Sequence, residues 1–301
     1  WSITKFQDIM FVDSHHNEFS SEPVIVIGDP DTDLLPPQFI AMDQPKHDVQ
    51  RATVSPAVAP KQLAEWEGLI RSRVAEVLDA LPVGESFDWV DRVSIDLTGR
   101  MLATLFDIPQ EDRRKLTAWS DVATNTPAVG VTGVSTEERE TRLRECLAYF
   151  TEVWNQRVNE PPKMDFISLL AHNPETRDMD PLEYLGNLIL LIVGGNDTTR
   201  NSMSGGVYAL NKFPEQFEKL KADHSLIPNM VSEIIRWQTP LAHMRRIATQ
   251  DVELGGKTIK KGDKVVMWYV SGNRDDEVIE NPNDFVIDRA KARHHVSFGF
   301  G

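Results

Sequence analysis

The apolar positions of this chain recur at helical spacing through most of its length. Over residues 61–80, Leu63, Trp66, Leu69, Ile70, Val74, Val77 and Leu78 fall on one helical stripe. Residues 89–106 repeat the pattern with Trp89, Val93, Leu97, Met101, Leu102 and Leu105, closed by Asp107-Ile108-Pro109. A third amphipathic helix is expected over 136–158, starting at Thr136 and carrying Leu143, Cys146, Leu147, Phe150, Val153 and Trp154. The longest helix is predicted from about Pro181 to Asn211. Asp180 is placed to cap it and Pro181 suits its first turn. Pro214 opens a short helix, and 229–237 forms another that ends before Pro240.

The period then shortens. Val252 to Ile259 reads as a hairpin turning on Gly255-Gly256, and Lys264 to Trp268 as a strand. Met244 to Ala248 is a strand leading into that hairpin, while the tail from Asn273 is irregular. The chain opens at Trp1 in strand and helix, and the Pro-rich stretch Asp29 to Pro37 reads as a surface loop. Strands and helices do not alternate, which argues against a doubly wound sheet. The expected class is mainly α with a small β-rich part. The domain expectation is a single domain over 1–301, with a helical body about 40–240 and a β-rich part about 241–301.

Composition narrows the function. The net charge is −14 over 301 residues and no basic run breaks it, so nucleic acid is not an expected partner. No apolar run reaches the roughly 18 residues of a membrane span; Leu185 to Gly195 is too short and is followed by Asp197 and Arg200. The single cysteine, Cys146, forbids an internal disulfide and fits a reducing, cytoplasmic setting. His15-His16 and His294-His295 lack metal-ligand spacing. There is no Walker loop, dinucleotide fingerprint or nucleophile elbow.

Four motifs carry candidate chemistry. In the long helix, Gly194 and Gly195 each cost about 1 kcal/mol relative to Ala, so the pair needs a reason. Either a ligand or a neighbouring element approaches the backbone, or the hydrogen-bond ladder opens locally. Asp197 and Thr198 follow within a turn, an acid and a hydroxyl that could relay protons into a dry pocket. The bland alternative is helix packing through the glycines, with Asp and Thr facing solvent. Glu233 and Arg236 stand at i, i+3 and can pair, most often as a solvated surface bridge. His47 and Arg51, at i, i+4, could clamp a carboxylate or simply lie on the surface. In Met244-Arg245-Arg246-Ile247-Ala248 an arginine could bind an anion or blunt an edge strand.

The order and spacing of these motifs resemble the cytochrome P450 superfamily over essentially the whole chain. Gly194 to Thr199 resembles its oxygen-activation motif, and Glu233-x-x-Arg236 its Glu-x-x-Arg pair. Asn273-Arg274-Asp275, Pro282 to Phe285 and Asp288-Arg289 are similar to the approach to its haem loop, and Phe298-Gly299-Phe300-Gly301 to the beginning of that loop. Within the superfamily, Met42 to His47 and Gly194 to Met203 resemble soluble bacterial alkane and fatty-acid terminal hydroxylases.

The resemblance implies a cytochrome P450 fold, truncated at both ends, and haem b as cofactor. It implies proton delivery by Asp197 and a hydrogen bond from Thr198 to dioxygen. Gly194 and Gly195 would admit the porphyrin, with Phe298 on the haem loop. His47, Arg51 and Arg246 would hold propionates, and Glu233 and Arg236 would form a buried structural pair near Arg289. Leu190, Val193, Leu241, Ala242 and Met244, with His243, would line the substrate pocket, and 119–135 (Trp119, Val122, Pro127, Val129, Val131) would be a lid. Partners would be a ferredoxin, its reductase and a hydrophobic small molecule. The axial cysteine would lie beyond Gly301, so the chain reads as an inactive fragment of an active enzyme, with no metal ligand of its own; Cys146 matches no ligand position. The alternatives are a truncated haem-binding or interaction paralogue without activity, and a terpene or steroid hydroxylase.

Overall fold

The computed structural model describes residues 1–29, 35–124 and 134–300. The chain divides into two compact units, Trp1–Asp29 with Ala41–Asp43 and Asn201–Gly301, and Pro30–Ile40 with Gln44–Arg200.

The second unit is helical. It contains α2 (Lys46–Val54), α3 (Pro60–Glu65), α4 (Glu67–Asp79), α5 (Asp96–Leu105), α6 (Arg113–Thr124), α7 (Thr136–Arg157) and α8 (Phe166–His172). To these it adds α9 (Pro181–Lys212) as far as Arg200. Its core gathers Leu102 of α5 and Phe106 just after it, Leu116 and Trp119 of α6, Cys146 and Phe150 of α7, and Leu188 and Ile192 of α9. The helix starts follow local chemistry. Ser135 accepts from the Glu138 amide at 3.1 Å and so caps α7. Asp180 accepts from Leu182 N at 2.8 Å, and Pro181 occupies the first position of α9. Gly186 is dictated by packing, since a Cβ there would stand 1.9 Å from the Pro37 carbonyl oxygen.

Two expectations are corrected here. The helix expected over 61–80 is two helices, with Trp66 between them, and Leu63, Leu69 and Leu78 remain exposed while Val77 is buried. A one-residue break leaves the 3.6-residue period running on either side, so periodicity cannot register it. Trp119 is not part of a lid: it is buried in α6, with its ring 5.5 Å from Tyr149 and 5.8 Å from Phe150. Val122 also belongs to α6. Pro127, Val129 and Val131 lie outside the described residues, as does part of the Pro-rich stretch from Asp29 to Pro37. The helix expected over 89–106 is present, but its first turns, Val90–Ile95, are wound as a π-helix that leads into α5.

The first unit carries the sheets. β1 (Ser2–Ile3), α1 (Phe6–Ser14) and β2 (Phe19–Ser20) precede the part of α9 from Asn201 onward, then α10 (Pro214–Ala222) and α11 (Ile227–Gln238). β3 (Met244–Ala248), β4 (Val252–Leu254), β5 (Lys257–Ile259), β6 (Lys264–Met267) and α12 (Tyr269–Gly272) complete it. The four-stranded sheet has the order β1-β6-β3-β2, with β1 parallel to β6 and the other pairs antiparallel. β3 is therefore an inner strand, and the reading of its arginines as edge-blunting charges fails. The β4–β5 hairpin turns on Gly255 and Gly256 at φ 57° and 71°, the left-handed pair that a two-residue turn requires. Gly205 and Gly206 let α9 approach α11: a Cβ at either would meet Gln238 or Ile234 within 2.7 Å.

Candidate functional site

In the second unit the site is built on one face of α9. Residues i, i+4 and i+7 share a helical face, which aligns Leu190, Gly194 and Asp197. The two glycines have different reasons to be glycine. A Cβ at Gly195 would come within 2.6 Å of Leu102 Cδ2, so Gly195 is set by packing against α5. A Cβ at Gly194 would meet nothing within 4 Å, and Gly194 is exposed. The helical run is unbroken through both, so the ladder does not open here. Instead the Thr198 hydroxyl donates to the Gly194 carbonyl oxygen at 2.7 Å.

Asp197 is largely buried, with 17% of its side chain exposed. Burial pushes its carboxyl above the ordinary carboxylate value; the Arg200 charge and the Ser120 hydroxyl pull the other way. Arg200 Nη2 stands 2.8 Å from an Asp197 oxygen and 2.8 Å from Asp121, a half-exposed acid on α6. On the inner side, Asn196 Nδ2 donates to Asp197 at 3.3 Å, and Thr98 of α5 donates to Asn196 Oδ1 at 3.1 Å. Asn196 is fully buried. An acid in this setting takes up and gives back protons nearer neutrality than a surface aspartate, and a hydroxyl follows one residue on.

His47 and Arg51 stand one turn apart on α2. His47 Nδ1 lies 2.8 Å from Asp48, and Arg51 is exposed. Leu190 and Val193 are half-buried, and Val193 packs on the core. Cys146 is fully buried, and burial pushes its thiol far up. That keeps it protonated and inert. Among the described residues no cluster of His, Cys, Asp and Glu could hold a metal ion.

In the first unit, Glu233 and Arg236 are both fully buried on α11 and paired through two bonds of 2.8 Å. Arg236 also donates to the carbonyls of Asn273, Pro282 and Asp284 at 2.9, 2.7 and 2.9 Å. Glu233 accepts from Val286 N at 2.9 Å and Arg289 Nε at 3.0 Å. This network replaces the water lost on burial and fastens the irregular tail to α11.

On β3, Arg246 is partly buried. It donates to its neighbour's carbonyl, Arg245 O, at 3.0 Å and to Asp13 at 3.1 Å. Phe298 is 61% exposed. Met244 is buried, Leu241 and His243 half-buried and Ala242 exposed.

Sequence reasoning passed over Asn196, Arg200, Asp121 and Asp13. Asn196 sat inside the quoted motif, and its burial was the missing fact. Asp13 left a signal: an acid four residues after Ile9 on the face of α1 that buries Phe6 and Ile9.

A profile of the cytochrome P450 family matches residues 135–301. The structure of cytochrome P450-153 from Novosphingobium aromaticivorans is 51% identical with a TM-score of 0.90, over 99% of this chain and 75% of that one. Linalool 8-monooxygenase of Pseudomonas putida is 35% identical over 266 residues, 87% of this chain and 64% of the relative. A methyl-branched lipid omega-hydroxylase of Mycobacterium tuberculosis is 32% identical over 316 aligned positions, 100% of this chain and 71% of the relative. The chain thus spans 64% and 71% of the lengths of these two curated relatives.

Proposed function

The chain belongs to the cytochrome P450 family, and on that premise we propose that it serves a haem-thiolate monooxygenase placing one oxygen atom of O2 on an unactivated C–H bond of an apolar substrate. The observation that carries this reading is the open backbone at Gly194 on the α9 face that also presents buried Asp197, with Thr198 beside it.

The chain's own groups suit the periphery of haem b. A guanidinium has five N–H donors, and Arg246 uses two of them on described partners, so donors remain for a propionate. His47 and Arg51 are proposed for the same task, and Phe298 and Gly194 for contact with the ring. A thiolate that would hold the haem iron is not assigned to Cys146, whose buried, protonated sulfur suits core packing. When bound through a thiolate, haem supplies the oxygen-activating chemistry. Asp197 then holds and releases the proton at its carboxyl, steadied by Asn196 and Arg200. Thr198 Oγ1 offers the hydrogen bond that directs this proton. Leu190, Val193, Leu241, Ala242 and Met244 are proposed to exclude water and hold hydrocarbon. Glu233 and Arg236 act structurally, not on substrate.

For substrate, we propose terminal hydroxylation of medium-chain alkanes or fatty acids in the cytoplasm, with electrons from a ferredoxin and its reductase. Support comes from the lipid omega-hydroxylase, whose name places its attack at a chain end. Among the described residues no helix is long and apolar enough to cross a membrane. A terpene substrate is the second reading, favoured by the 35% identity to linalool 8-monooxygenase. Incubating the haem-loaded protein from its natural gene with octane, dodecanoate and linalool, a ferredoxin system and NADH separates them. Omega-alcohols from octane or dodecanoate support the first reading, and oxidised linalool alone supports the second.

A further inference from the structure

Asp13 stands near the C-terminal end of α1, where a carboxylate meets the negative end of the helix dipole. Its side chain is nevertheless only 3% exposed. Three donors from three other parts of the first unit converge on it. Arg246 Nη2 of β3 lies at 3.1 Å, the Tyr269 hydroxyl of α12 at 3.0 Å, and the Phe300 amide at 2.9 Å. Burial pushes the Asp13 carboxyl up, and all three donors pull it down.

The surrounding backbone is shaped to this carboxylate. Gly299 sits at φ 78°, and a Cβ there would stand 3.1 Å from both Asp13 Oδ2 and the Tyr269 hydroxyl. The same segment is held at its other end by Asn273, which accepts from Val296 N and donates to Ser297 Oγ, both at 2.8 Å. Between these two anchors the segment leaves the rings of Phe298 and Phe300 exposed, 61% and 47%. On the other side, Asp13 fixes one edge of the Arg246 guanidinium while Arg245 O fixes another. A fixed guanidinium loses less freedom when its remaining donors meet an anion.

We propose that Asp13 is a positioning residue for haem binding, which sets Arg246 and the Val296–Phe300 segment together through one buried carboxylate. The inference rests on the haem reading above. It assigns Asp13 no contact with haem and no part in the chemistry. Asp13→Asn keeps the shape but turns an amide toward Arg246, so Arg246 and the segment lose their common tether.

The test follows haem loss from the holoprotein expressed from its natural gene, by transfer to excess apomyoglobin, with far-UV circular dichroism as the check on folding. Asp13→Asn is expected to speed haem loss about tenfold or more, and Asp13→Glu to recover part of the effect. Tyr269→Phe, which removes one donor and leaves the carboxylate, keeps the test open should Asp13→Asn fold poorly; it is expected to speed loss several-fold. Because Asp13 acts partly through Arg246 and partly through the 296–300 segment, the haem-loss effects of Asp13→Asn and Arg246→Gln should combine in the double variant to less than their product. Wild-type haem retention in Asp13→Asn and Tyr269→Phe, or effects of Asp13→Asn and Arg246→Gln that multiply in full, overturns the inference and leaves the haem reading standing. A wild-type protein that purifies without haem removes that reading and the inference with it.

Discussion

The Thr198 hydroxyl donates to the carbonyl oxygen of Gly194, one turn earlier on α9, at 2.7 Å. This back-bond parks the hydroxyl on the face whose backbone is open at Gly194. Such a bond adds little to helix stability. Thr198→Ala is therefore expected to change the stability of the protein by less than about 1 kcal/mol. In the haem-loaded protein it should raise the peroxide released per NADH consumed. Thermal melting and a peroxide assay check the two halves. Unchanged coupling would remove Thr198 from the mechanism.

Gly194 and Gly195 should respond oppositely to one added methyl group. Gly195→Ala drives a Cβ to within 2.6 Å of Leu102 Cδ2 and is expected to destabilise by about 1–3 kcal/mol. Leu102→Ala in the same chain should recover part of the clash energy. Gly194→Ala meets no neighbour and gains helix propensity, up to about 1 kcal/mol. Urea unfolding of the haem-free protein gives both numbers, and the haem content of Gly194→Ala should fall even as its stability rises.

Burial raises the Asp197 carboxyl above its ordinary 3.8. The folded state then holds this proton more tightly than the unfolded chain does. That contribution to stability is present at low pH and is lost as pH rises from the ordinary value through the raised one. Asp197→Asn mimics the protonated form, so its melting temperature should gain on the wild type as pH rises above the ordinary carboxylate value. Turnover should fall in the same variant, as expected where a buried acid that costs stability is retained for its chemistry. A wild-type advantage that grows with pH would contradict this assignment.

The Glu233–Arg236 pair makes a prediction about geometry as well as charge. Arg236 bonds to both Glu233 oxygens and to three backbone carbonyls, with no exposure. Lysine keeps the charge but cannot fork. Arg236→Lys and Glu233→Gln should each cost about 3–5 kcal/mol, because each leaves a buried partner unsatisfied. Denaturant midpoints measure it, and a loss under about 1 kcal/mol would show a pair that contributes little.

Much of the fold was legible in the sequence because its signals are local. Asp180 and Pro181 mark the start of α9, and Gly255-Gly256 the hairpin, by chemistry confined to a few residues. Trp119 was misread because an apolar residue beside a Gly- and Pro-containing stretch looks alike whether it faces a ligand or Phe150. The glycine pair shows the limit for the site. One residue answers to Leu102 and the other to open space, and a sequence of adjacent glycines carries no mark of which is which. Asn196 and Asp13 depend on partners 98 and 287 positions away, Thr98 and Phe300, and only the folded chain brings those together.

The most direct measurement is the carbon monoxide difference spectrum of the reduced protein expressed from its natural gene. A haem-thiolate monooxygenase predicts the red-shifted Soret band of a thiolate-ligated haem, retained in Thr198→Ala because Thr198 is not an iron ligand. A protein that takes up no haem, or whose Soret band is that of a nitrogen-ligated haem, would contradict the account.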